Sequence, residues 1–335
     1  MPIKYLTPFA FLALLPLGGW LGGTWTFAAA AATVVCMPGL DVGLGEHGPR
    51  AQAAHALFRW LPRMYILAQL GVTAWMAWIV SRPETNLVET VGLTISTGIT
   101  TGVFGFVAAH EMIHSRDERL RSLGLAMFAT AFYMHFGIAH LAGHHRQAAT
   151  DNDPTSARLG ESLYGFILRS VTGQFREAWA FDIGRMRRAD RWVFGTGNRM
   201  SIYLAIEVAL IVVLSLLSRG VLAFLLAAAV IAVTLLETFN YVAHYGLRRR
   251  IGANGKPEPL RPTHSWNSRR RMDKAALFNM GCHSDHHSHP SRSFDRLEPV
   301  PGGAILPFGY GTALLTALIP PIWKRIMDQR ALAVV

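Results

Sequence analysis

The stretch "GCHSDHHSHP", residues 281–290, holds four histidines in ten residues. Three of them, His283, His286 and His287, fall at i, i+3 and i+4. On a helix that spacing sets side chains one turn apart on one face. The rest of the chain is apolar: of 335 residues, 51% are hydrophobic and 16% charged, and mean hydropathy is +0.27. An ordinary soluble domain carries about 25% charged residues. Imidazoles gathered in an apolar chain need a structural setting, and the flanking sequence supplies one.

The apolar residues lie in long runs. A spanning helix needs about 20 of them, and six segments qualify, at about 6–21, 24–40, 62–80, 88–110, 200–218 and 220–242. The expected fold is an all-α integral membrane protein with about six spans. Residues 1–110 hold the first four, 111–199 a polar interfacial segment, 200–243 the last two, and 244–335 a polar tail. Gly18, Gly19, Gly22 and Gly23 suit a hairpin between the first two spans, and Ser218-Arg219-Gly220 one between the last two. Only Lys4 precedes the first run and another run follows at once, which reads as an uncleaved span rather than a signal peptide. Residues 122–139 and 302–322 are apolar but short or broken by Pro307, Pro320 and Pro321. They read as segments that dip into the membrane or lie on it.

The net charge of +11 would suit nucleic-acid binding, but its placement does not. Of the 32 Lys and Arg, all but Arg82 and Arg219 fall on one side of the six-span layout. The positive-inside rule makes that side cytoplasmic, with both termini on it. Cys36 and Cys282 are the two cysteines, far apart in sequence, and form neither a disulfide framework nor a zinc ribbon.

Of 14 histidines, nine fall into four groups. They are His110 and His114 in "HEMIH", His140, His144 and His145 in "HLAGHH", His244 in "NYVAHYGL", and the opening three. The spacing lets each multi-histidine group present two imidazoles toward one point, and the topology puts all four groups at one membrane face. Imidazole suits iron, zinc, copper and nickel. Eight or nine such ligands exceed one metal and fit two. His47, His55, His135, His264 and His289 lack matching spacing and read as loop or interface residues. A metal transporter is the contrasting class, but it should hold its ligands at mid-membrane on broken helices. These histidines sit at span ends and in polar segments.

"HEMIHS", "HLAGHHRQAATDNDPTSAR", "NYVAHYGL" and "HSDHHSHP", with "GESLYGFILRSVTGQFREAW" at 160–179, resemble the signatures of membrane alkane 1-monooxygenases and xylene monooxygenase hydroxylases. These belong to the integral-membrane fatty acid desaturase and hydroxylase superfamily. The resemblance implies a non-haem di-iron centre held by His110, His114, His140, His144, His145, His244, His283, His286 and His287. It implies O2-dependent hydroxylation of a terminal methyl group, with electrons from rubredoxin or a ferredoxin-type donor, in a bacterial inner membrane. An alkyl-aromatic, xylene-type monooxygenase, or a lipid or fatty acid desaturase with the same metal centre, is the alternative. The family's third signature usually has Glu before its histidine, where this chain has Ala243.

A ligating imidazole usually donates its other N–H to a carboxylate or carbonyl. Candidates for such support are Glu237, two turns before His244 on the same helix face, Asp285 and Glu111 inside their boxes, Asp153 after the second box, and Tyr245. With Ala243 in place of an acid, Glu237 is the expected carboxylate. Trp20, Phe27, Trp75, Trp78, Phe104 and Phe106 are candidates to line a tunnel for an apolar substrate.

Overall fold

The computed structural model describes residues 2–46 and 56–334. His47, Arg50 and His55 lie outside them. Helix α1 (Thr7–Leu21) has 15 residues, fewer than a span needs. Five helices among the described residues are long and apolar enough to cross a membrane: α2 (Gly23–Leu44), α3 (Phe58–Val80), α4 (Leu87–Ile113), and two later in the chain. The first of the six expected runs is therefore helical but short. It doubles back through Gly22 and Gly23, whose φ angles are +70° and +56°. A Cβ at Gly18 would collide with the Trp25 carbonyl, so the hairpin needs that glycine.

After α4 come α5 (Glu118–Ala129) and α6 (Leu163–Arg188), both outside the spans. The remaining two spans are α7 (Arg199–Leu217) and α8 (Arg219–His244). Ser218 starts α8 by accepting from the Val221 N–H at 3.3 Å, which makes the expected tight link. The stretch 122–139 forms the end of α5, a reversal at Phe132 (φ +53°) and a short helix. The tail adds α9 (His283–Ser288), α10 (Tyr310–Ala317) and α11 (Pro320–Val334). Pro320 and Pro321 thus open a helix, where proline's missing N–H costs nothing. Ala304 and Ile305 pair in parallel with Trp266 and Asn267 as a two-residue ladder. Asp41 and Asp273 accept from the Gly309 and Tyr310 N–H groups, each at 2.8 Å, and so pin the start of α10.

Small residues bring α4 and α8 together. A Cβ at Gly98 would lie 2.8 Å from the Ala228 carbonyl, and one at Gly102 2.8 Å from that of Ala232. Gly-x-x-x-Gly lets helix backbones approach this closely. The two helices end at His110–Ile113 and His244, so their close packing delivers the first and third histidine groups to one end of the bundle.

Candidate metal centre

All nine grouped histidines meet, in two sets. His110, His114, His140, His145 and His286 form one, and His144, His244, His283 and His287 the other. Within each set the nitrogens lie within 4.8 Å of one another. In the first, His140 Nε2 is 2.8 Å from His110 Nε2, 3.0 Å from His114 Nε2 and 3.0 Å from His145 Nε2. One nitrogen cannot form three N–H···N bonds. A metal about 2.1 Å from each nitrogen would hold neighbouring ligands about 3 Å apart. In the second set, His283 Nε2 lies 3.2 Å from His244 Nε2 and 3.1 Å from His287 Nε2. A donor set of nine nitrogens with no thiolate fits two imidazole-liking metals such as iron. His135, His264 and His289 stay outside both sets.

The local helix geometry makes this division. Ala139–His144 is a π turn, closing on i→i+5. It puts His145, rather than His144, beside His140, and His144 turns to the other set. The reading of i, i+4 pairs on a single face fails here for that reason. In α9, His283 and His287 share the second set at i, i+4, while His286 joins the first. A Cβ at Gly143, within the π turn, would lie 2.5 Å from Glu177 Oε2 on α6, so a larger residue there displaces that carboxylate or the turn.

The supporting groups divide differently from expectation. Asp153 Oδ2 lies 2.9 Å from His144 Nδ1, and Thr155 and Ser156 hydroxyls bond the same carboxylate. His244 Nδ1 lies 3.2 Å from the His264 carbonyl. Among the described residues Glu237 meets no imidazole. It accepts from Tyr133 Oη at 3.0 Å, Ser170 Oγ at 2.6 Å and Gln174 Nε2 at 2.9 Å. A shared helix face with His244 did not bring the two together, because α6 and the loop before the π turn occupy the space beside Glu237. Asp285 bonds His289, Arg292 and the Glu298 N–H, and Glu111 accepts from the Phe294 N–H. Both thus hold the loop after α9. Tyr245 donates to Asp328 on α11.

Tyr133, Ser170, Gln174 and Glu177 were not singled out from sequence. A signal existed: Ser170 and Gln174 are polar residues at i, i+4 on the buried face of α6. Glu207, 7% exposed in α7, was also missed; it accepts from the Met134 N–H at 2.8 Å.

Burial first, and the neighbouring imidazoles second, push His114, His140, His145, His283, His286 and His287 well below the ordinary histidine value. Their rings are neutral at pH 7, the form that ligates metal. Burial alone would raise the Asp153 carboxyl. The His144 ring and the Ser156 and Thr155 hydroxyls outweigh it and hold Asp153 below the usual carboxylate range.

An apolar cavity of about 30 Å³ opens on His110, His140 and His283 between α4 and α8. Phe106, Val107, Phe136, Leu235 and Phe239 line it. Phe106 is the only one of the six proposed aromatic residues on that lining. Phe104 instead stacks on Phe11 at 5.2 Å, and Trp20, Trp75 and Trp78 are exposed on the outer surface.

An all-helical membrane protein with a buried two-part histidine centre at the end of an apolar cavity is the class that this fold and site define. The family described as fatty acid desaturase matches residues 85–301. Alkane 1-monooxygenase 1 of Pseudomonas aeruginosa is 35% identical over 266 residues, 79% of this chain and 70% of that protein. Alkane 1-monooxygenase of Pseudomonas putida is 32% identical over 332 residues, covering 97% and 82%. The xylene/toluene monooxygenase hydroxylase component of Pseudomonas putida is 25% identical over 319 residues, covering 93% and 84%. The chain belongs to the fatty acid desaturase family, in its alkane monooxygenase branch. It is an oxidoreductase of the monooxygenase type.

Proposed function

We propose that this enzyme hydroxylates a terminal methyl or other alkyl C–H of an apolar substrate, using O2 and two irons. The balance is RH + O2 + 2e⁻ + 2H⁺ → ROH + H2O. The electrons come from rubredoxin or a ferredoxin-type donor, as the resemblance of the histidine signatures implies. The observation that carries the reading is the convergence of five and four imidazoles at the mouth of an apolar cavity. His110, His114, His140, His145 and His286 would hold one iron, and His144, His244, His283 and His287 the other. When bound, the irons supply the O2-dependent redox chemistry that a strong C–H bond demands and amino-acid side chains lack.

The chain's own part is alignment and exclusion of water. Asp153 fixes His144, and the His264 carbonyl fixes His244, each through Nδ1, leaving Nε2 for metal. Phe106, Val107, Leu235 and Phe239 keep the reacting end of the substrate dry. The aromatic lining and the xylene/toluene relative favour an alkyl-aromatic substrate as the second reading. The gathering of Lys and Arg in the histidine-bearing segments supports the reading of that end as cytoplasmic.

Two measurements test this. Purified protein should contain close to two irons per chain. With a matched reductase, n-alkanes, xylene and fatty acyl lipids should be screened by mass spectrometry, and an alcohol is the expected product. One zinc per chain, or an alkene as the main product, overturns the reading.

A further inference from the structure

A second apolar recess lies between α3, α5, α7 and α8 and is far roomier than the cavity at the histidines. Its volume is about 740 Å³, and its walls include Ala74, Leu125, Ala126, Phe132, Met134 and Leu210. It exists because α7 stands away from the bundle: only 11% of its apolar window is buried. The histidine cavity, at about 30 Å³, has room for roughly two waters. An alkyl chain reaches the histidines only if side chains move, whereas the cleft is open as it stands.

Phe106 and Phe136, on the histidine cavity, and Phe128, packed behind both, lie between the two as a wall. Phe128 stacks on Phe106 at 4.8 Å and packs against Phe136 at 4.9 Å. Phe106 and Phe136 line the histidine cavity, while Leu125 and Ala129, to either side of Phe128 in sequence, line the cleft. The chain that continues this wall is strained, with Phe132 at φ +53°. Carboxylates on both spans hold it in place. Glu207 on α7 accepts from the Met134 N–H, and Glu237 on α8 accepts from Tyr133 Oη. Acidic groups at such depth are costly and mark function. Neither hydrogen-bonds one of the nine grouped histidines, so the metal centre does not explain them.

We propose that the cleft is a second alkyl-binding site, which holds the apolar substrate at membrane depth before it passes Phe128 to the histidines. This rests on the hydroxylase reading above. The occupant is a neutral apolar chain rather than an anionic phospholipid. The cations beside the cleft's polar end are already engaged: Arg199 pairs with Asp182 at 2.9 Å, and Arg121 with Glu118 at 3.5 Å.

The full chain in phosphatidylcholine nanodiscs, with and without metal, is photolabelled with a diazirine-bearing n-alkane. Label is expected on peptides covering 122–134 and 203–214 in both forms, displaced by unlabelled n-alkane. Ala126→Trp and Ala74→Trp, which fill the cleft, should lose that label. They should also raise KM for the alkyl substrate about tenfold with kcat unchanged. Label confined to the Gly102–Val107 segment, or cleft label displaced by phospholipid but not by alkane, overturns the proposal. Alcohol formation without cleft labelling overturns the second site alone. Absence of product from every alkyl substrate overturns the hydroxylase reading instead.

Discussion

His144 and Asp153 meet at 2.9 Å through Nδ1 and Oδ2, both fully enclosed. Among the described residues, Asp153 is the carboxylate that hydrogen-bonds one of the nine grouped imidazoles, and it does so for the set of four. Removing such a partner typically lowers metal affinity or activity about 10–100-fold. Asp153→Asn should therefore lose metal from the second set first, with turnover falling in that range. Iron analysis alongside turnover checks it, and an unchanged iron content would contradict the assignment.

His286 and His287 are chain neighbours that serve different sets. His286→Ala and His287→Ala should each abolish turnover, and so should His144→Ala. Mössbauer spectra of the two α9 variants should lose different iron signals. Near-normal turnover in His286→Ala would show the ligand set to be wrong.

Gly143→Ala should strip metal by another route. The added methyl would sit 2.5 Å from one Glu177 oxygen and 2.7 Å from the other. Either the Glu177 carboxylate swings aside or the π turn shifts, and with the turn go His140, His144 and His145. Adding Glu177→Ala in the same chain should restore much of the iron. Normal iron in Gly143→Ala alone would mean that Glu177 swings aside and the turn keeps its place.

Glu237 holds three buried donors. Glu237→Ala leaves them unmatched, at about 1–3 kcal/mol for each. The unfolding midpoint should fall clearly, and turnover with it, since the ring of Phe136, near Tyr133, stacks on His140 at 4.9 Å. Glu237→Gln keeps two of the acceptor contacts and should do less harm. Thermal unfolding of both variants in detergent decides, with equal midpoints counting against the network.

Asp273 gives the pH dependence a direction. Burial pushes its carboxyl up from 3.8 to about 7. The folded chain then keeps a proton that the unfolded chain has already released, so stability falls as pH rises through that window. Asp273→Asn keeps an acceptor for the Tyr310 N–H and cannot ionise. Its unfolding midpoint should change less than the parent's between about pH 5 and about pH 8. Parallel curves would exclude Asp273 as the source.

The apolar runs and the histidine boxes could be read in sequence because both are local patterns. Helix length and box spacing follow from neighbours a few residues away. The five-to-four division of imidazoles was not legible, because it depends on a hydrogen-bond register inside Ala139–His144 that no hydrophobic period reports. Glu237 was marked as important, but its partners Ser170 and Gln174 lie on a helix whose docking no spacing argument fixes. Asp153 was found as one of several carboxylates near a box. Only the fold of the 150–156 loop distinguishes it from Asp285 and Glu111, which hold loops instead.

The π turn has a wider consequence for how the centre is put together. It makes the second box a bridge: His140 and His145 face one metal set and His144 the other, and α9 is divided in the same way. Only the first box and His244 belong to a single set. Without the last box the sets would keep four and two ligands, and without the second, three and three. The second and last boxes are thus shared, so a change in either reaches both sets. Trimming either of those boxes takes ligands from both sets at once, so neither set survives it whole.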